Sequence, residues 1–189
     1  MRHILSRSIV MAIALALVAP ITGPASAQDK GAADSVSLFG EKELKLPENW
    51  KRTRPQSPII EHEFAIKSGE AADAPSARIT LMAAGGDVKA NIDRWKGQFT
   101  GGNAEAQKVE ELKVGDWTVH MVDLSGKYKE SMGGGPFAPG KVVERENYAM
   151  IGGILVDPKG RKYFIKMTGP AELVKSNREG VLKMIEGLK

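Results

Sequence analysis

Hydrophobic residues recur at helical spacing in one central segment of the chain. Val88, Ile92, Trp95 and Phe99 stand at i, i+4, i+7 and i+11, which places four apolar side chains on one face of an α-helix. Asp87 precedes them and can accept a hydrogen bond from a free N–H of the first turn, while glycines follow Phe99 and favour a helix end there. The pattern predicts an amphipathic helix between Asp87 and Phe99, with the other elements built around it.

Apolar and polar residues alternate in the segments on either side of this helix, as is typical of half-buried strands. A second helix is predicted from Pro170 to Leu188, with Pro at a favourable first position. These elements predict an α+β domain, in which a mostly antiparallel sheet of about six strands is covered by two main helices. The predicted strands cover residues 59–67, 77–84, 107–114, 117–124, 142–156 and 162–168.

The first residues have the three-part pattern of a secretory signal peptide. A basic start is followed by an apolar run over residues 9–19 and then by the small residues Ala25 and Ala27. The apolar run is too short to span a membrane, which takes about 20 residues. We therefore expect a signal peptide over residues 1–27 and an exported protein, periplasmic or secreted; a retained interfacial anchor is the alternative.

The remainder of the chain has the size of one domain. Removing 27 of the 189 residues leaves 162, enough to bury roughly 70% of the unfolded surface without disulfides. We expect a flexible tether over residues 28–37, which are small and polar, and a single domain over residues 38–189. The chain has no Cys, which excludes disulfides, thiolate metal sites and Cys nucleophiles.

The charge balance does not indicate nucleic-acid binding. The chain has 27 Lys and Arg residues against 23 Asp and Glu, and loss of Arg2 and Arg7 with the signal peptide would leave 25 against 23. The basic residues are interspersed with acidic ones along the chain, whereas a nucleic-acid interface needs a patch of one sign.

The sequence contains no recognisable catalytic or metal-binding motif, so no catalytic residue, metal or cofactor is predicted. His62 and His120 each stand alone in a predicted strand, without the spacing of a metal site. No Ser lies in a Gly-x-Ser-x-Gly motif, and the Gly-rich segments match neither a Walker loop nor a dinucleotide site. A hydrolase that uses His62 or His120 with a nearby carboxylate stays open as the alternative.

Polar residues of the central helix are the best candidates for a binding surface. Asn91, Arg94 and Gln98 form a stripe beside the apolar one, and with a partly exposed Trp95 they could dock a partner, since Arg and Trp are enriched at interface hot spots. Phe137, the single aromatic residue of a loop rich in Gly and Pro, is a further candidate. The alternative is that Arg94 and Gln98 are ordinary surface residues or bind loop carbonyls.

The order of elements resembles the Mog1/PsbP-like α/β/α sandwich. The resemblance rests on a Pro-x-x-Trp turn ending at Trp50, on a Tyr-Phe-x-Lys-x-Thr-Gly-Pro strand end over residues 163–170, and on residues 90–99, which are similar to segments of uncharacterised exported bacterial proteins. It covers roughly residues 44–188. The resemblance implies the sandwich fold and a protein that docks to protein assemblies without catalysis.

The sequence therefore predicts an exported, non-catalytic binding or accessory module that docks to a protein partner or a small ligand in the cell envelope, with no nucleic acid as partner and no membrane-spanning segment after signal cleavage. An enzyme of unrecognised type is the runner-up. A stress-related envelope protein without a specific ligand is a third possibility.

Overall fold

The computed structural model of the protein describes residues 34–102, 106–132 and 141–189. Within these residues, no helix is long and apolar enough to cross a membrane. The strands are β1 (Ser35–Leu38), β2 (Lys42–Lys45), β3 (Lys51–Thr53), β4 (His62–Lys67), β5 (Ser76–Ala84), β6 (Phe99–Thr100), β7 (Gln107–Val114), β8 (Trp117–Met132), β9 (Lys141–Val156) and β10 (Lys162–Pro170). The helices are α1 (Val88–Lys96), α2 (Ala171–Ser176) and α3 (Arg178–Glu186).

Eight of these strands form one antiparallel sheet in the order β3-β4-β5-β10-β9-β8-β6, with β7 also paired to β8. The predicted hairpin of residues 107–114 and 117–124 is confirmed, because Val114 pairs with Trp117 across the turn. Strands β1 and β2 form a separate antiparallel hairpin. The central pair, β8 and β9, contains 16 residues in each strand and dominates the sheet.

The large sheet carries an apolar cluster on each face, because side chains alternate along its strands. On β10, Ile165 belongs to one cluster and its neighbour Phe164 to the other. The first cluster joins the sheet to α2, α3 and the β1–β2 hairpin, and the second joins it to α1. Residues that other elements contribute to the first cluster include Leu38, Leu44, Val174, Val181 and Ile185, and α1 contributes Ile92 and Trp95 to the second.

The central helix begins as the sequence predicts and ends earlier. The Asp87 side chain accepts a hydrogen bond from the Ala90 N–H at 2.9 Å, which confirms the N-cap. The helix ends at Lys96, with Gly97 as C-cap, and Phe99 belongs to strand β6. Phe99 is still buried, because β6 places its ring 5.0 Å from the ring of Tyr128.

The predicted fold class, a sheet of about six strands covered by two main helices, is wrong. The described residues form mostly antiparallel β structure, with an eight-stranded sheet and a two-stranded sheet. The helices contain nine, six and nine residues, and the predicted terminal helix is interrupted at Asn177, whose side chain donates to the Leu173 carbonyl. Of the additional strands, β3 and β6 contain only three and two residues, too few for alternation to predict them, and β1 and β2 contain four each, the shortest length at which it can.

Part of the predicted tether belongs to the folded unit. Residues 35–37, within the predicted tether of residues 28–37, lie in strand β1 and pair with β2. Val36 is buried in the first apolar cluster, and this burial explains why a segment of small and polar residues is held in place. The folded unit therefore begins before residue 38.

Candidate ligand-binding site

Two of the predicted binding residues, Asn91 and Trp95, are buried and support α1. The Asn91 amide donates to the carbonyls of Gly85 and Asp87 at 3.2 and 2.8 Å, so it secures the loop before the helix. Trp95 is only 4% exposed and packs edge-to-face on Phe164, with ring centroids 5.4 Å apart. The expected partial exposure of Trp95 is therefore wrong, because its ring belongs to the second apolar cluster.

The other two predicted residues of α1 and its end lie closer to solvent. Arg94 is exposed and donates to Asn91 Oδ1 at 2.6 Å. Gln98 is half-buried, and its Oε1 accepts a hydrogen bond from Lys166 Nζ at 2.7 Å. The remaining candidate, Phe137, lies outside the described residues. The structure thus connects Gln98 to a lysine on β10 that the sequence did not single out.

Lys166 lines a pocket of about 360 Å³ on the face of the sheet that α1 covers only in part. Phe164, Lys166 and Thr168 follow one another at steps of two along β10, so they share this face. Phe164 packs under Trp95, whereas Lys166 and Thr168 continue beyond the helix into the pocket. The volume is within the range of small-molecule sites, which is about 300–1,000 Å³.

Two arginine–carboxylate pairs line the pocket. Arg78 donates to both oxygens of Glu63, at 2.9 and 2.8 Å, and the Gln56 backbone N–H adds a third hydrogen bond. Glu63 is only 3% exposed, and the Arg78 hydrogen bonds lower the pKa of its carboxyl group despite burial. The second pair joins Arg145 Nε to Glu130 at 3.0 Å across β8 and β9. Each pair cancels one positive charge of the pocket.

Lys166 has no such partner: within the described ranges, no carboxylate oxygen lies within 4 Å of its amine and Gln98 is its hydrogen-bond acceptor. Desolvation, together with the positive charges of Arg78 and Arg94, lowers the pKa of Lys166 to about 8. Lys166 Nζ also lies 5.7 Å from the ring centroid of Tyr128, within the range of a cation–π contact. The surroundings of Lys166 in the pocket therefore destabilise the charged form of its amine.

Aromatic rings form another wall of the pocket. Tyr128 and Tyr148 stack with centroids 6.1 Å apart and planes 4° from parallel. Burial, and then the negative charge of Glu130, raise the pKa of Tyr128, so its phenol stays protonated and can donate a hydrogen bond. Thr80 and Thr168 add hydroxyl groups. The pocket can offer a ligand an ammonium group, neutral donors and flat aromatic surface.

The two histidines of the alternative hydrolase lie apart from each other and from this pocket. His62 on β4 and His120 on β8 are separated by three strands, a distance of about 19 Å at the usual strand spacing. Burial and the Arg52 charge lower the pKa of His62, whose Nδ1 lies 3.3 Å from Arg52. His120 Nδ1 lies 3.6 Å from Glu111, which is exposed on the neighbouring strand β7.

A metal site is not evident in the part of the chain that the structure describes. No group of three or more His, Asp or Glu side chains within residues 34–102, 106–132 and 141–189 is arranged to hold a metal ion. The polar groups that converge are cations, hydroxyls and an amide around Lys166, and these suit an anionic or hydroxylated organic molecule.

The sequence pattern of β10 does not reveal the position of Lys166. Tyr163, Ile165 and Met167 alternate on one face, and the other face holds Lys162, Phe164, Lys166 and Thr168, of which Phe164 alone is apolar. Alternation of this kind predicts a half-buried strand with one polar face, so the pocket around Lys166 follows only from the neighbouring strands.

The comparisons with known proteins do not assign the chain to a family. No protein-family model matches the sequence. No curated protein has significant similarity to it either. Its function therefore has to be inferred from the geometry and chemistry of the pocket.

Proposed function

We propose that this protein is an exported, non-catalytic binding module that holds a small polar molecule in the pocket beside Lys166. The proposal rests on the groups that line one pocket of about 360 Å³. These are the Lys166 amine, which has no carboxylate partner among the described residues, together with two tyrosines and two threonine hydroxyls. Pockets with a few convergent polar groups and perturbed titratable residues are the usual sites of small-molecule binding. Export is proposed from the signal-peptide pattern of residues 1–27.

The structure favours a small ligand over a protein partner on α1. An exposed Trp would favour protein docking there, since Trp, Tyr and Arg are enriched at interface hot spots. Trp95 is packed in the core and Asn91 is engaged with the backbone, which leaves Arg94 as the exposed member of the predicted surface. The pocket, in contrast, is already formed by strands of the central sheet.

The proposal is tested by filling the pocket. Ala65 lines it and faces Arg78 across β4 and β5, so Ala65→Phe places a ring in the cavity without removing a polar group. Ala71→Phe introduces the same bulk on the exposed loop between these strands and is the matched control. Both variants and the wild-type chain are exported from the native host, purified, and analysed by native mass spectrometry for bound small molecules.

We expect a co-purified small molecule on the wild-type protein and on Ala71→Phe, and its loss from Ala65→Phe with the circular dichroism spectrum unchanged. Equal occupancy of the two Phe variants would contradict the proposal, as would recovery of a stoichiometric protein partner that both variants retain. Export is checked by the intact mass of the purified chain, which should correspond to a start at Gln28.

A further inference from the structure

We infer that the molecule bound in the pocket carries an oxyanion, a carboxylate or a phosphate group, that pairs with the amine of Lys166. The inference rests on the proposed function and specifies its ligand. Of the cations that line the pocket, Arg78 and Arg145 are already paired with carboxylates of the protein, and Arg54 is exposed. Neither Lys166 nor Arg54 has a carboxylate of the described chain within 4 Å, and of these two cations Lys166 is the less exposed and the one held in place by a hydrogen bond.

The hydrogen bond to Gln98 orients the amine. An ammonium group has three N–H donors, and Gln98 Oε1 takes one of them at 2.7 Å. The side-chain oxygen of Gln98 is neutral, so it fixes the position of Nζ without neutralising its charge. Two donors are left for ligand oxygens, and a carboxylate or a phosphate group has acceptors for both.

The electrostatic surroundings favour an anion at this point. Arg78 and Arg94 both act on the Lys166 amine, and Arg145 and Arg54 line the same pocket. The acidic groups that line the pocket, Glu63 and Glu130, are engaged by Arg78 and Arg145. The four cations that line the pocket are Lys166 and the three arginines Arg54, Arg78 and Arg145. Set against two carboxylates, they leave an excess of positive charge that attracts an anionic ligand.

The neighbouring groups indicate where the rest of the ligand would lie. Thr168 follows Lys166 on the same face of β10, and Thr80 pairs with Lys166 across β5 and β10. Their hydroxyls line the pocket together with the stacked rings of Tyr128 and Tyr148. A small planar or hydroxylated acid would therefore place its acidic group on Lys166 and its body against the tyrosines.

The test compares two anionic ligands with a neutral ligand that carries the same phenyl ring. Benzoate and phenyl phosphate are the anionic probes and benzamide is the neutral probe, and binding to the pocket is measured by isothermal titration calorimetry and by the NMR titration of the Lys166 side chain. An anion that pairs with the ammonium form must raise the pKa of Lys166, whereas benzamide must not. Comparison of benzoate with phenyl phosphate shows which oxyanion the site prefers.

We expect both anions to bind, benzamide to bind at least about tenfold more weakly, and Lys166→Met to reduce anion affinity by about tenfold or more. Lys166→Arg should retain part of the preference for anions, because it keeps the charge. Lys162→Met changes a lysine of the same strand outside the pocket and should have no effect. Lys166→Met removes a desolvated charge, so it is expected to fold.

The inference would be overturned if benzoate and benzamide bound with equal affinity. It would also be overturned if neither anion, at concentrations up to about 50-fold above that of the protein, shifted the pKa of Lys166 measured by NMR. A molecule that is lost from Ala65→Phe but proves to be neutral would overturn it as well, while the proposed pocket function would stand. Failure of the pocket function itself would be seen instead as equal occupancy of Ala65→Phe and Ala71→Phe.

Discussion

The indole ring of Trp95 lies directly on the backbone of Gly152. A Cβ atom built at Gly152 would be 2.5 Å from Cζ3 of Trp95 and 2.9 Å from Cε3, closer than real Cβ contacts allow. Gly152 is in the middle of β9, where it pairs with Val122 of β8 and Lys166 of β10. The absence of a side chain at Gly152 thus lets α1 approach the sheet, and the position of α1 brings Gln98 to Lys166.

Replacement of Gly152 by Ala should therefore destabilise the protein. The added methyl group must displace the Trp95 ring, and overpacking of this kind costs about 1–3 kcal/mol in the free energy of unfolding. Gly69→Ala is the control, since a Cβ there would have no heavy atom within 4 Å. Urea unfolding followed by Trp fluorescence should show a lower midpoint for Gly152→Ala than for Gly69→Ala; equal midpoints would contradict the close contact.

Asn91 should matter for stability more than for recognition. Its buried amide joins the start of α1 to the carbonyls of Gly85 and Asp87, and Asn91→Ala leaves these carbonyls without that donor. We expect a loss of about 1–3 kcal/mol in the free energy of unfolding. Lys89→Ala, on the exposed side of the same helix, should cost well under 1 kcal/mol. Chemical unfolding measures the free energy of unfolding of both variants. If Asn91→Ala were as stable as Lys89→Ala, the structural role assigned to Asn91 would be refuted.

Local sequence signals were sufficient for the elements whose patterns are long. The structure confirms three features that are specified by residues close together in the sequence. They are the Asp87 N-cap, the hairpin around Gly115 and strand β10. The end of α1 could not be predicted, because Phe99 continues the helical spacing and yet pairs with Tyr128 in β6. A two-residue strand of this kind is specified by its partner strand and leaves no periodicity of its own.

The site was harder to predict than the fold, because it depends on which strands are neighbours. The helix pattern identifies Gln98 as a candidate, but its hydrogen-bond partner Lys166 is 68 residues further along the chain. Glu63 alternates with Phe64 along its strand, and alternation alone predicts a polar, exposed position for it. It is instead buried beneath Arg78, because the arginine of the adjacent strand covers it and supplies the compensating charge. Such pairings follow from sheet order, which a single sequence does not encode locally.

The Glu63–Arg78 pair should make stability depend on acid pH. The Arg78 hydrogen bonds lower the pKa of Glu63 below its ordinary value of 4.5, so the unfolded state binds more protons than the folded state in the range below that value. The contribution of the pair is therefore complete above about pH 4.5 and is lost as pH falls through the folded-state pKa. Glu63→Gln removes the charge and with it this dependence.

We expect Glu63→Gln to lower the free energy of unfolding by about 1–3 kcal/mol at neutral pH, since hydrogen bonds to a buried charged group are lost. The difference from the wild type should shrink as the pH is lowered to about 3. Urea unfolding at a series of pH values measures it, with Glu70→Gln on the exposed loop after β4 as the control. A difference that is constant between neutral and acid pH would show that Glu63 acts only through its shape.

Lys166 should make stability rise with pH as Glu63 does, but at alkaline pH and because its charged form is destabilised in the folded state. Desolvation and the charges of Arg78 and Arg94 lower its pKa from 10.5 to about 8, so between these values the unfolded state binds the additional proton and stability rises with pH. At neutral pH the amine is charged in both states, and its burial costs the folded protein up to about 3 kcal/mol. Lys166→Met should therefore be more stable than the wild type at neutral pH, with an advantage that declines as the pH rises from about 8 to about 10.5. Unfolding by urea across this range tests the prediction against Lys162→Met, and an advantage of Lys166→Met that does not change with pH would refute it.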